Sequence, residues 1–93
     1  MTWHPLGEQL REIREKRNLT MKDVEEQSRR IAEARQNMEY LITSGRLSQI
    51  ENSNSLPSVY KFASLSEIYQ VPYVELLRNY GIELTVSPPA RGA

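Results

Sequence analysis

The sequence contains no cysteine and a single histidine, His4. Disulfides, thiolate metal sites and imidazole clusters are therefore excluded, and no metal or other cofactor is expected. No apolar run approaches the roughly 20 residues that a helical membrane span requires. The N-terminus lacks a basic-then-apolar leader pattern, so a cytoplasmic location is the expectation. An excess of either charge is also missing, because 12 Lys plus Arg are matched by 12 Asp plus Glu. Net neutrality argues against a protein that coats nucleic acid indiscriminately, while leaving room for a local basic face. The 93 residues suffice for one domain with a modest core, not for two.

What is present is helical punctuation. Leu6, Leu10 and Ile13 share one face of an amphipathic segment, with Pro5 suited to its first turn. Lys16 and Arg17 favour its C-terminal dipole, and Asn18 stands where a left-handed residue ends a helix. Thr20 followed by Asp23 reads as a capping box, and Leu19 with Val24 as a hydrophobic staple. A second helix therefore starts at Met21. Val24, Ile31, Ala34, Met38 and Leu41 keep a helical spacing, with neither Gly nor Pro between Met21 and Ser44. Helix is expected through at least residue 35, with Gln36-Asn37 as the candidate break.

Thr43 and Ser44 offer the next N-cap, for a short helix carrying Leu47 and Ile50 and ending near Asn52. Residues 52–57 read as a loop. Ser58 caps a helix with Val59, Phe62, Leu65 and Tyr69 on one stripe, broken at Gln70-Val71-Pro72. Tyr73 to Tyr80 forms a last helix closed by Gly81. Ile82 to Val86 reads as a short strand or extended arm, and Ser87 to Ala93 as a disordered tail. The expectation is an all-α, five-helix domain over residues 1–82, with a C-terminal arm and tail over 83–93. Its expected core is Leu10, Ile13, Leu19, Val24, Leu47, Ile50, Val59, Phe62, Leu65, Val71 and Leu77.

Several residue types invite chemistry and do not support it. Glu25, Glu26 and Glu33 fall on a polar helix face without a His, Cys or Lys constellation, so no catalytic residue is expected. His4 beside Trp3 reads as terminal packing. Tyr40, Tyr60, Tyr69, Tyr73 and Tyr80 read as core-edge residues, not as a base-stacking platform.

Four pieces in order carry a resemblance. They are Leu6-Gly7-x-x-Leu10-Arg11-x-Ile13-Arg14 with Arg17-Asn18-Leu19-Thr20, then Leu47-Ser48-Gln49-Ile50-Glu51-Asn52. Leu56-Pro57-Ser58 and Val71-Pro72-x-x-Glu75-Leu76-Leu77 complete the set. Over about residues 5–82 the chain resembles the phage repressor and Cro type of helix-turn-helix domain, which includes bacterial regulators of the xenobiotic-response-element class. The resemblance implies a sequence-specific transcriptional regulator of double-stranded DNA, with a recognition helix at about 44–52 in the major groove. It implies base contacts from Ser44, Gly45, Ser48 and Gln49, with Arg46 reaching a phosphate or a guanine. Phosphate contacts are expected from Thr20, Met21, Lys22, Thr43, Asn52 and Asn54. Arg14 and Glu51 are expected to form a structural ion pair, and the protein to act as a homodimer.

The chain departs from that family at one place. Roughly 12 additional residues, about Arg29 to Tyr40, stand between Ser28 and the recognition helix, enough for up to ~18 Å of helix. Glu25 occupies a position where the compact motif prefers a small side chain, and Met21 one where it often has a polar residue. The arginines Arg29, Arg30 and Arg35 are read as a solvated face. The Ile31, Ala34 and Met38 stripe is left open between self-packing and dimerisation. The alternative function is a protein-interaction module that uses the inserted 29–42 segment. The Pro-Pro tail leaves open a linker to an effector domain or protein partner.

Overall fold

The computed structural model describes residues 6–54 and 56–82. Pro5, His4 and Trp3, residues 83–86 of the expected arm and the tail lie outside those residues. Five α-helices run in the order α1 (Glu8–Lys16), α2 (Met21–Ala34), α3 (Ser44–Glu51), α4 (Val59–Tyr69) and α5 (Tyr73–Arg78). A short 3-10 turn, Met38–Tyr40, separates α2 from α3, and there is no strand among the described residues. The domain is all-α, with an elongated second helix and a long connection to the third.

Side-chain caps start three of the helices. Thr20 and Asp23 form a complete capping box, Asp23 N–H to Thr20 Oγ1 at 3.0 Å and Thr20 N–H to Asp23 Oδ2 at 2.9 Å. Those two bonds hold the Asp23 carboxyl below its ordinary pKa. Thr43 caps α3 through Arg46 N–H, and Ser58 caps α4 through Lys61 N–H. Four helices end by one device, a left-handed residue followed by an N–H that reaches back five residues. The left-handed residues are Asn18, Gln36, Gln70 and Gly81. The returning bonds are Leu19 to Arg14, Asn37 to Ala32, Val71 to Ser66 and Ile82 to Leu77. Gln36 is therefore where α2 stops, and residues 28–42 are not one helix.

Leu10, Val24, Ile42, Leu47, Ile50, Phe62, Leu65, Tyr69, Leu76, Leu77 and Tyr80 form a single core. Ile13, Leu19 and Val71, expected inside it, are partly buried and pack against it. Val59 is a correction: it lies 70 % exposed. It is the first residue of α4, beyond the part of that stripe which neighbouring helices cover. Tyr69 and Tyr80 correct the expectation of core-edge tyrosines, since both are buried.

α1 meets α3 almost without clearance. A Cβ on Gly7 would sit 1.8 Å from the carbonyl oxygen of Ile50, so only glycine fits there. Gly7 N–H donates to Ser53 O at 3.1 Å, and Leu6 N–H to Asn54 Oδ1 at 2.8 Å. These bonds close the chain around the C-terminal end of α3.

Candidate nucleic-acid interface

α3 is held from three sides, which leaves one face for solvent. Leu47 and Ile50 anchor it in the core. Glu51, 1 % exposed, takes a bidentate bond from Arg14 of α1. Arg14 Nε lies 2.8 Å from Glu51 Oε2 and Nη2 lies 3.1 Å from Oε1, while Nη1 donates to Leu19 O at 2.9 Å. The hydrogen bond to the Glu51 carboxylate holds the Arg14 pKa above its ordinary value.

The third restraint comes from α2. Glu25 Oε1 accepts both the backbone N–H and the hydroxyl of Ser44, each at 2.8 Å. Its Oε2 accepts from Arg29 at 3.0 Å, and Arg29 also donates to Glu26 at 2.6 Å. The Ser44 bonds, followed by Arg29, hold the Glu25 carboxyl below its ordinary pKa. Glu25 is thus a strut between α2 and the first residue of α3. Neither composition nor spacing exposes that role.

Gly45, Arg46, Gln49 and Asn52 are exposed on the remaining face, and Ser48 is half-buried. Arg46, Ser48, Gln49 and Asn52, with Ile50 and Ser53, line an open groove of about 560 Å³. Arg46 Nη1 donates to Gln49 Oε1 at 3.1 Å, and Asn52 Nδ2 donates to Ser48 O at 2.8 Å. Of the expected base-contacting residues, four are therefore brought together or left open. Ser44 is the exception, with its hydroxyl turned to Glu25.

The residues expected at phosphates are more dispersed. Lys22 is exposed, whereas Met21 is half-buried against the core and has only its backbone to offer. Thr20 and Thr43 are occupied as caps, and Asn54 Oδ1 is occupied by Leu6.

The inserted segment packs on its own domain. Lys61 Nζ donates to Glu39 O at 3.0 Å, and Ser64 Oγ donates to Tyr40 O at 2.7 Å. Tyr40 meets Tyr60 edge to face, with ring centres 5.2 Å apart. Arg35 pairs with Glu67 at 2.7 Å and lies 5.0 Å from the Tyr40 ring centre. Within the apolar stripe, Ile31 is half-buried and Met38 is exposed.

A bundle in which a capped second helix props a short, one-face-exposed third helix defines the helix-turn-helix class. The profile of a helix-turn-helix domain family matches residues 7–82, and the chain belongs to that family, consistent with the repressor and Cro type. That membership supports DNA binding as the class of function. No curated protein and no solved structure matches the chain. Among the described residues, no helix is long and apolar enough to cross a membrane.

Proposed function

We propose that the protein binds double-stranded DNA sequence-specifically as a transcriptional regulator, with α3 laid in the major groove. The observation that carries this reading is the exposed α3 face, where Arg46 and Gln49 are joined beside an open groove. Among the described residues, nothing outside the α3 backbone crowds the side-chain position of Gly45, so bases can approach the backbone there. Ser48 and Asn52 extend the polar surface, and Lys22 supplies phosphate contact from α2. Thr20, Met21 and Asn54 contribute through backbone groups, and Thr43 by capping α3.

The Arg46–Gln49 bond shapes the readout. Oε1 accepts from Arg46 and keeps a second lone pair, so Gln49 presents an acceptor and its amide N–H groups, and Arg46 its remaining guanidinium N–H groups. Arg46 matches the N7 and O6 acceptors of guanine, and Gln49 the N7 acceptor and N6 donor of adenine. Two copies bind half-sites about 34 Å apart, as dimeric helix-turn-helix proteins do.

Selection from a pool of random duplexes tests the proposal. The expected result is a selected sequence with guanine and adenine in each half-site, bound about tenfold or more weakly by Gln49→Ala and Arg46→Ala. No selected sequence at low salt, with both variants indistinguishable from the wild type, overturns it.

A further inference from the structure

Glu25 places a carboxylate against the first residue of α3. The start of a helix attracts phosphate through free N–H groups and the positive end of the dipole. In α3 two of those groups are taken within the protein. Ser44 N–H goes to Glu25 and Arg46 N–H to Thr43 Oγ1. Glu25 also withdraws the Ser44 hydroxyl and holds Arg29, which Glu26 binds as well. Arg29 is thus held between two carboxylates beside the start of α3.

We infer that Glu25 is a specificity-determining residue, which fixes the angle of α3 through Ser44 and keeps DNA phosphate away from the α2–α3 junction. Duplex affinity then rests on base contacts further along α3, and binding to unrelated sequence is suppressed. Net neutrality of the chain fits this design, because a protein with little general attraction to phosphate gains discrimination by excluding it locally. The inference rests on the duplex-binding reading above.

The test compares the full chain with Glu25→Gln and Glu25→Asp, each titrated with a selected and a scrambled duplex across a salt series. Gln retains an acceptor for Ser44 N–H but loses the charge and loosens Arg29. Glu25→Gln is expected to bind the scrambled duplex about tenfold more tightly at low salt, with a log–log salt slope steeper by about one. Its selected-to-scrambled ratio falls accordingly. Glu25→Asp keeps the charge but is one methylene shorter, so its slope stays at the wild-type value while the ratio falls. Equal slopes and scrambled-duplex affinities for wild type and Glu25→Gln overturn the inference alone, whether or not the melting temperature drops. A steepened slope in Glu25→Asp also overturns it, since charge would not be the cause. Failure of the wild type to select any duplex overturns both readings.

Discussion

Ser28 and Ile42 are joined by a 2.9 Å hydrogen bond that closes the inserted segment at its base. The Ser28 hydroxyl accepts the Ile42 N–H and donates to the Glu25 carbonyl at 2.8 Å. Both residues are completely buried. The chain leaves the α2–α3 motif after Ser28 and returns at Ile42, so the extra turn of helix and the 3-10 turn form an outward excursion. The excursion packs on α4 and does not spread α2 from α3.

Ser28→Ala leaves the buried Ile42 N–H without its partner. The expected cost is about 1–3 kcal/mol, read as a lower denaturation midpoint with an unchanged denaturant slope. DNA affinity should fall as well, because Ile42 leads directly into the Thr43 cap of α3. A loss of stability below about 0.5 kcal/mol would show that the Ser28 bond does not hold the connection.

Arg14 and Glu51 make a buried, geometrically matched pair, so removing one partner strands the other charge. Arg14→Met or Glu51→Gln should each cost about 3–5 kcal/mol. Replacing both with apolar residues of similar volume should recover much of that loss. Thermal melts over the full double-mutant cycle measure the coupling, and additive single effects would refute it.

Gly7→Ala places a methyl group against the Ile50 carbonyl, a backbone atom that cannot swing aside. α1 and the end of α3 must separate, at an expected cost of about 2 kcal/mol or more. Hydrogen exchange should show loss of protection concentrated at the C-terminal end of α3. Unchanged stability would mean that the two helices are not in this contact.

The hydroxyls of Tyr69 and Tyr80 are buried without hydrogen-bond partners among the described residues. Burial, and then the nearby Glu51 carboxylate, raises both pKa values, that of Tyr80 to about 12. Because the folded values exceed the unfolded one, the linked stability is complete below about pH 10 and is lost as pH rises through the folded values. Tyr69→Phe removes an unsatisfied group and should stabilise by about 1 kcal/mol at neutral pH. It should also blunt the alkaline fall in melting temperature. A destabilised Tyr69→Phe would reveal a partner for that hydroxyl.

Sequence alone determined the features that depend on neighbours in the chain. The caps at Thr20, Thr43 and Ser58 and the stops at Asn18 and Gly81 are local chemistry, legible because each residue type suits its backbone position. Apolar periodicity located the helices and most of the core for the same reason. The resemblance supplied the Arg14–Glu51 pairing, which lies 37 positions apart. Tertiary structure decided what periodicity cannot carry. Val59 begins a stripe whose later members Phe62, Leu65 and Tyr69 are buried, yet it is itself exposed. Gln36, with no special left-handed preference, ends α2 because the chain must turn back toward Ile42. Glu25, conspicuous as a misfit in a compact motif, becomes the strut of α3 only when the fold brings Ser44 within 2.8 Å. A side chain's local preference is written in its own type, whereas its partner across the fold is set by packing.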